Sequence, residues 1–215
     1  MISSDISLLI LAGGASSRMG CPKHLLPAPG GIMIDQIINR LGNLFSEIIV
    51  AGRDLDLKSD SARIVDDIRS EQTPLVGILS GIMVSAASNV FVIGCDMPFV
   101  KPGLIHLITS RKDDSNDIVI PVIRGYYEPL CAIYSCSTSD RIEQYLDSGG
   151  RKVTGFFQTV RLREVQESEV KLFDPLLESF INLNTPDDYQ NCGGGVTPPP
   201  EDSVTSSEGI YPQGC

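Results

Sequence analysis

Short apolar runs alternate with amphipathic segments along the first half of the chain. Four runs rich in Ile, Val and Leu predict strands, at Ser7–Leu11, Glu47–Ala51, Arg63–Val65 and Val90–Gly94. Most of these runs are continuous, which is typical of parallel strands covered on both faces. Between the strands, apolar residues at helical spacing predict helices, at Met33–Leu44, Gly77–Ala87 and Pro102–Arg111. Strands that alternate with helices indicate an α/β fold with a mainly parallel sheet.

The second half of the chain has a less regular pattern. Two strands are predicted at Asp117–Ile123 and Leu130–Ser135, joined through Arg124–Pro129. Because strands so close in sequence pair antiparallel most readily, we expect a mixed sheet. The remaining predicted elements are a helix, a short helix and a strand, at Ser137–Ser148, Arg151–Phe157 and Val160–Val165. We therefore predict an α/β fold with a single-domain, Rossmann-like three-layer sandwich around a mostly parallel mixed sheet.

The last 23 residues carry no apolar periodicity. Their sequence, GGGVTPPPEDSVTSSEGIYPQGC, is dominated by Gly, Pro, Ser and acidic residues. Such a composition buries too little apolar surface to offset the entropy lost when a chain becomes ordered. We predict one folded domain at residues 1–192 and a disordered tail at residues 193–215.

The charge of the chain limits its partners. Of the formal net charge of −10, −3 comes from the tail and −7 from the remainder. An acidic protein is poorly suited to duplex nucleic acid or to an anionic membrane as its main partner, so neither is expected. No apolar run reaches 18 residues, so no membrane span is expected either. The six cysteines form no CxxC pair, which favours a reduced, cytoplasmic protein.

The most informative stretch is LLILAGGASSRMGCPKHLL, residues 8–26. A buried strand leads into a loop of small residues, in which Gly13 and Gly14 let backbone N–H groups approach a phosphate or a base. Arg18 can grip a phosphate with a fork of donors, and Lys23 acts as a point charge. The loop lacks the GK[ST] ending of a P-loop and does not fit GxGxxG. We interpret it as a phosphate or nucleotide site rather than as a tight turn with two surface cations.

A second candidate is VIGCDMPF, residues 92–99, where a buried strand ends at Asp96 and turns at Pro98. In an open α/β sheet, ligands bind beyond the carboxyl ends of the strands. A carboxylate beside bound phosphates makes sense mainly as a ligand of Mg²⁺, which uses one or two carboxylates together with phosphate oxygens and water. We therefore predict that Asp96 binds Mg²⁺, the alternative being a helix-capping or turn residue.

Two further stretches follow predicted strands. Asp66 and Asp67 end the run RIVDD at the same edge, where one of them could reach a base or a second side of the metal site, or both could be solvated. Gly77 and Gly81 lie one helical turn apart and leave a smooth helix face. That face suits close approach by a ligand, by a strand, or by both.

A last candidate lies near the end of the predicted domain, in FINLNTPDD, residues 180–188. Asn182 and Asn184 alternate, so both could project from one face of a strand and read a polar ligand. Thr185 is then suited to cap a short helix that begins at Pro186. The alternative is a local network of caps and turns.

Taken together, the stretches LAGGASSRMGCPK, PLVG, CDMP and NLNTP resemble the molybdenum cofactor guanylyltransferases. These enzymes belong to the nucleotidyltransferase superfamily, whose fold is shared with the transferases that make nucleotide-diphospho-sugars. The resemblance covers roughly residues 7–191. It implies that GMP passes from GTP to the terminal phosphate of molybdopterin, which gives the guanine dinucleotide cofactor and pyrophosphate. It also implies Mg²⁺ as the cofactor, and a cofactor carrier and a receiving molybdoenzyme as protein partners.

The resemblance assigns roles to individual residues. The residues implied to bind the guanine nucleotide are Leu11, Ala12, Gly13, Gly14, Lys23, Asp67 and Asp96. Arg18 and Lys23 would act on the phosphates, and Asp96 would bind the metal and complete the catalytic set. On the acceptor side, the resemblance implies Asn182 and Asn184, together with Pro129 in the stretch YEPLCA that closes the acceptor site.

One departure from the family pattern leaves alternatives open. Many relatives have an Asn near the base after the second predicted strand, where this chain reads VAGR, residues 50–53. Arg53 or backbone groups are the candidates to replace it. The alternative functions are another nucleotidylyltransferase of this fold, transferring CMP to the cofactor or acting on a sugar phosphate, and a non-catalytic nucleotide-binding protein. No Ser–His–Asp or Cys–His arrangement is evident, so covalent catalysis is not expected.

Overall fold

A single α/β unit is formed by the residues that the computed structural model describes, namely residue 2 and residues 5–13, 27–28, 31–53, 55, 57 and 59–183. These residues form ten strands: β1 (Ile6–Leu11), β2 (Pro27–Ala28), β3 (Gly31–Ile32), β4 (Ile48–Gly52), β5 (Arg63–Asp66), β6 (Asn89–Gly94), β7 (Ile118–Ile123), β8 (Tyr126–Tyr127), β9 (Cys131–Ser135) and β10 (Leu162–Gln166). They also form five α-helices: α1 (Met33–Leu41), α2 (Pro74–Val84), α3 (Pro102–Ser110), α4 (Ser139–Asp147) and α5 (Glu167–Val170). The tail predicted at residues 193–215 lies outside the described residues, so the division at residue 192 stays a prediction.

Eight strands form one mixed sheet in the order β10-β7-β9-β6-β1-β4-β5, with β8 paired to β7. The neighbours β6-β1-β4-β5 are parallel to one another, and β10 is parallel to β7. Only β9, which lies antiparallel to both β6 and β7, and the short β8 interrupt this pattern within the sheet. The predicted mostly parallel mixed sheet is therefore confirmed.

Helices cover both faces of the sheet. Along β1, the alternation of side chains sends Leu8 and Ile10 into the cluster beneath α1 and α3, and Leu9 and Leu11 into the cluster beneath α2 and α4. All four side chains are buried. Because successive residues of a strand face opposite sides, a continuous apolar run is what a strand between two helical layers requires. This arrangement confirms the predicted three-layer sandwich.

Helix α2 begins three residues before the start predicted from the sequence. It starts at Pro74 rather than at Gly77, because Thr73 caps it by accepting a hydrogen bond from Leu75 N at 3.4 Å and Pro74 occupies the first helical position. A Cβ added at Gly81 would lie 2.3 Å from Leu9 Cδ2, so this glycine serves the packing of α2 against β1. Within the described residues, none of the helices has the length and apolar character needed to cross a bilayer.

The order of the strands creates one switch point in the sheet. From β1 the chain moves outward through β4 to β5, and then crosses back so that β6 lies on the other side of β1. At such a point the loops after the two diverging strands leave in opposite directions and open a crevice, where open α/β sheets bind their ligands. By this rule, the ligand crevice is expected beyond the carboxyl ends of β1 and β6.

The start of β7 is held by a buried carboxylate. The Asp117 side chain is 5% exposed and accepts hydrogen bonds from Arg161 Nη2 at 2.7 Å and from Arg141 Nη1 at 3.1 Å. Chiefly because of the hydrogen bonds from Arg161, the pKa of Asp117 is lowered to about 2. The ion pair with Arg161 links the start of β7 to the start of β10, and the ion pair with Arg141 links it to α4.

An Asp117→Asn variant should lower the free energy of unfolding by about 2 kcal/mol at pH 7. A lowered pKa stabilises the folded state above the unfolded pKa of about 3.9, and the effect is lost as the pH falls toward 2. Urea unfolding at several pH values should therefore show the difference between wild type and variant shrinking below pH 4. Exposed Asp114→Asn is the matched control and should change little. A difference that stays constant from pH 7 to pH 3 would contradict the assignment.

Candidate active site

Three parallel strands end at the same level beside the crevice. In the register of the sheet, Leu11 pairs with Ala51 of β4 and with Gly94 of β6. The ladder continues one step further, because Ala12 N donates to Ala51 O at 2.8 Å and Cys95 N donates to Leu11 O at 3.0 Å. The residues that follow, including Gly13 and Asp96, therefore leave the sheet at a common edge.

The exits of β1 and β4 are in close contact. A Cβ added at Gly52 would lie 2.9 Å from Gly13 N and 3.1 Å from the carbonyl carbon of Ala12. Real Cβ atoms do not approach backbone so closely, so only glycine fits at residue 52. The Leu11 and Ala12 side chains are buried while Gly13 is exposed, so the chain exposes backbone at Gly13, just after β1.

Asp67 occupies a cleft between two glycines. A Cβ at Gly13 would lie 3.8 Å from Asp67 Oδ2, and a Cβ at Gly77 would lie 3.7 Å from Asp67 Oδ1. The Oδ1 atom is buried and has no hydrogen-bond partner among the described residues. Asp66, in contrast, is exposed. Of the two adjacent carboxylates, Asp67 is therefore the one that faces the loop after β1.

Burial changes the pKa of the Asp67 carboxyl group. Loss of solvent raises the pKa of Asp67 above its ordinary value, since an apolar surrounding disfavours the charged form. The nearby Arg53 guanidinium opposes that shift, and the Asp66 carboxylate adds to it. An unpartnered, partly desolvated acid at a sheet edge is typical of a functional site rather than of a packing position.

The loop that carries Asp96 is anchored from three directions. Cys95 N bonds to β1 as described, and Met97 N donates to Gly94 O at 3.1 Å to close a turn. The Arg40 guanidinium of α1 donates to Pro98 O, and burial lowers the pKa of Arg40. Asp96 itself is half-buried. Arg40 could not be found from the sequence, because nothing in its spacing sets it apart from other residues on the polar face of α1.

The segment with the two asparagines reaches the same loop. Leu183 N donates to Asp96 O at 2.8 Å, and the Leu183 side chain is buried. The exposed Asn182 precedes Leu183 in the chain and is therefore close to the Asp96 loop in space. Residues 181–183 form no strand, so the expected strand face is wrong for the described part of this segment. A single backbone hydrogen bond, from Leu183 N to Asp96 O, holds the segment in place of the repeated hydrogen bonds of a strand pair.

The hairpin of β7 and β8 and the segment that leads from it into β9 lie on the other side of this edge. Arg124 and Gly125 have positive φ angles of 51° and 80°, as a two-residue hairpin loop requires. Past this turn, Pro129 O accepts a hydrogen bond from Tyr134 Oη at 2.8 Å, and Leu130 O accepts one from Gly94 N at 3.2 Å. The predicted acceptor residue Pro129 therefore lies near Gly94, which ends β6 and precedes Asp96 by two residues.

Four of the predicted site residues lie outside the described residues: Gly14, Arg18, Lys23 and Asn184. Their assignments remain predictions. The described candidates, in contrast, lie at one edge of the sheet. On one side of the switch point are Leu11, Ala12, Gly13 and Asp67. On the other side are Asp96 and Pro129. Gly77 belongs to this edge as well, because a Cβ added there would lie 3.0 Å from Leu11 Cδ2 and 3.7 Å from Asp67 Oδ1.

The available donors suit only some metal ions. Within the described part of the chain, no group of three or more His, Cys, Asp or Glu side chains could hold a metal. The described residues therefore do not form a metal site in which every ligand is a protein side chain. They are compatible with an ion that takes one carboxylate from the protein and its other ligands from phosphates and water, as Mg²⁺ does.

Comparison with known proteins defines the class. The family model described as the MobA-like NTP transferase domain matches residues 8–165. The chain therefore belongs to the MobA-like NTP transferase family, and it is a nucleotidyltransferase.

Individual relatives narrow the class further. The chain is 33% identical over 197 residues to a probable molybdenum cofactor guanylyltransferase from Natranaerobius thermophilus, covering 89% of this chain and 96% of the relative. It is 32% identical over 190 residues to a molybdenum cofactor guanylyltransferase from Desulfosudis oleivorans, covering 87% and 94%. The solved structure of molybdopterin-guanine dinucleotide biosynthesis protein A from Archaeoglobus fulgidus superposes with a TM-score of 0.74 at 26% identity, covering 86% and 95%. The resemblance to molybdenum cofactor guanylyltransferases is thereby confirmed.

Proposed function

We propose that this chain transfers GMP from GTP to the terminal phosphate of molybdopterin, forming the guanine dinucleotide cofactor and pyrophosphate. The observation that carries the proposal is the cleft at Asp67, which shares one sheet edge with Asp96 across the switch point. The names of the relatives support the same activity. A nucleotide that spans the switch point would have its base on the Asp67 side and its phosphates toward Asp96.

The Asp67 cleft suits guanine. The Watson–Crick edge of guanine presents two adjacent donors, N1–H and the N2 amino group, which one carboxylate can accept together. Cytosine and adenine each present only an amino group next to an acceptor nitrogen, which an ionised carboxylate repels. Because Gly13 carries no side chain, a flat base could approach the Asp67 carboxylate past this glycine, from the side of the Oδ2 atom.

The phosphates require positive charge and backbone donors. We assign this role to the N–H groups of Gly13 and Gly14 and to the cations Arg18 and Lys23, which follow in the same loop. Arg18 would hold a phosphate through its fork of donors, and Lys23 would neutralise the triphosphate as a point charge. Leu11 and Ala12 would line the nucleotide through their backbone.

We assign Asp96 to the Mg²⁺ ion, since its half-buried carboxylate fits an ion that is bound mostly by phosphate oxygens and water. When bound, such an ion supplies a positive charge that stabilises the charge developing on the phosphates. The anchoring of this loop to β1, α1 and Leu183 would hold the Asp96 carboxylate in place without rearrangement during the reaction.

The reaction is a direct displacement. An oxygen of the terminal phosphate of molybdopterin forms a bond to the α-phosphorus of GTP, and the bond from that phosphorus to the oxygen bridging to the β-phosphate breaks. The bonding electrons leave with pyrophosphate. The attacking phosphate is already an anion, so positioning and charge neutralisation contribute more than a general base. We assign Asn182, Asn184 and Pro129 to the acceptor, because the described two of them flank the Asp96 loop.

Asp67→Asn should remove the preference for guanine. An amide at this position keeps one acceptor and gains a donor, which opposes the guanine donors. We expect the affinity for GTP to fall about tenfold or more, since hydrogen bonds to charged groups contribute about 1.5–3 kcal/mol. Calorimetric titration with GTP, CTP and ATP, with and without Mg²⁺, would measure this change.

Asp66→Asn is the matched control, because the neighbouring carboxylate is exposed. It should keep the wild-type affinity for GTP. If wild type binds CTP more tightly than GTP, the base assignment is wrong. Pyrophosphate release with sugar phosphates in place of molybdopterin would instead point to a different acceptor.

A further inference from the structure

Arg53 joins two parts of the nucleotide site that are distant in sequence. It directly follows β4, and its backbone N lies 4.0 Å from the position of a Cβ on Gly13. Its Nη2 atom donates to Arg69 O at 3.0 Å, in the loop between β5 and α2. That loop begins with Asp67. The Arg53 side chain therefore spans from the exit of β4 to the segment that carries the carboxylate.

The carbonyl that Arg53 binds is itself held in place. The Arg69 guanidinium forms ion pairs at 2.8 Å with both Glu71 and Asp147, the last residue of α4. The loop after β5 is thereby fastened to the helical layer on one side of the sheet. Arg53 is thus bound to a fixed point of the fold, although it is exposed itself.

The charges around Asp67 come from two described residues. Arg53 and Asp66 act on its carboxylate with opposite sign, while the other walls of the cleft, Gly13 and Gly77, are uncharged. Burial alone favours the protonated acid, which would donate a hydrogen bond where guanine needs an acceptor. A cation near the carboxylate offsets this tendency.

We propose that Arg53 is a positioning residue for guanine recognition, which holds the loop after β5 and places a positive charge near the Asp67 carboxylate. The inference rests on the proposed role of Asp67 in binding the base. It gives a function to the position at which many relatives carry an Asn and this chain carries VAGR. Arg53 acts through Asp67 and not by contact with the reacting phosphates.

The test is the pH dependence of GTP binding by an Arg53→Gln variant of the full chain. Binding that requires an ionised Asp67 is present above the pKa of that carboxyl and is lost as the pH falls through it. Removal of the cation raises the pKa, so the acid limb should move to higher pH by about 0.3–0.7 units. At neutral pH the Kd for GTP should rise about threefold to tenfold, because the bond that positions the loop is also lost.

Arg63→Gln is the matched control. Arg63 lies at the opposite end of β5 and also donates to a backbone carbonyl, Val84 O, at 2.9 Å. Its removal should leave both the Kd and the acid limb unchanged. Arg53→Lys keeps the charge with a different donor geometry, so it should restore the acid limb to within about 0.2 units of wild type.

Two results would overturn the inference. One is a uniform loss of affinity at every pH in Arg53→Gln, which would leave Arg53 as a structural residue only. The other is an acid limb that also moves in Arg63→Gln. Failure of the proposed function would look different, since wild type would then bind GTP with this pH dependence and yet form no product with molybdopterin.

Discussion

Replacing Asp96 by Asn is expected to lower the rate of GMP transfer by about a hundred- to a thousand-fold, as removal of a preorganised electrostatic group does in other enzymes. Asn has nearly the same shape but lacks the negative charge that a divalent cation requires. The bonds that anchor the loop are made by the backbone of residues 95–98 and by Arg40, so they should survive the substitution. The effect should therefore appear chiefly in catalysis.

The Asp96→Asn experiment measures pyrophosphate release at saturating GTP while Mg²⁺ is varied. The variant should need more Mg²⁺ than wild type and should stay slow at saturation. Asp140→Asn, on the exposed first turn of α4, is the control and should transfer GMP at the wild-type rate. A wild-type rate in Asp96→Asn would show that this carboxylate does not hold the metal.

The second large effect is expected for Gly52→Ala. The new methyl group would collide with backbone atoms of Ala12 and Gly13, which cannot rotate away as a side chain can. The exits of β1 and β4 would have to separate, at a cost of about 1–3 kcal/mol in the free energy of unfolding. Because the same backbone lines the crevice, we also expect the Kd for GTP to rise at least tenfold.

Thermal unfolding and GTP titration of one preparation would measure both effects of Gly52→Ala. Gly103→Ala is the matched control, since its Cβ would meet the ring of Phe173 at 3.3 Å, and that side chain is 46% exposed and free to move. The control should keep both properties within error. Wild-type stability and affinity in Gly52→Ala would contradict the close packing of the two strand exits.

The fold could be predicted from the sequence because its main signal is local. The continuous apolar runs of β1, β4 and β6 each carry the period of a strand buried on both faces, and that period needs no knowledge of the partners. The start of α2 is harder to predict, because the small-residue run from Gly77 marks only the body of a helix that begins after its cap, Thr73. Gly81 proved to be a packing glycine, and an added Cβ at Gly77 would likewise meet the Leu11 side chain, at 3.0 Å.

The candidate site could be predicted only in part. That Asp67 and Asp96 follow strands is visible in the sequence, but their arrangement on either side of β1 depends on the strand order, which no local pattern encodes. Residue spacing alone did not distinguish Asp66 from Asp67, and the choice of Asp67 came from the family resemblance. The structure adds that Asp67 lies beside Gly13, whereas Asp66 is exposed. The contacts of Arg53 with Arg69, and of Arg40 with Pro98, join segments that are distant in sequence and carry no motif.

The central claim, guanylyl transfer at this sheet edge, is tested most directly by following the α-phosphate of GTP. Purified protein would be incubated with Mg²⁺, molybdopterin and GTP that is labelled at its α-phosphate. The products would then be separated and identified by mass spectrometry. We predict that the label appears in molybdopterin guanine dinucleotide, with one pyrophosphate released for each dinucleotide formed. Label that remains in GTP, while CTP under the same conditions yields a dinucleotide, would contradict the account.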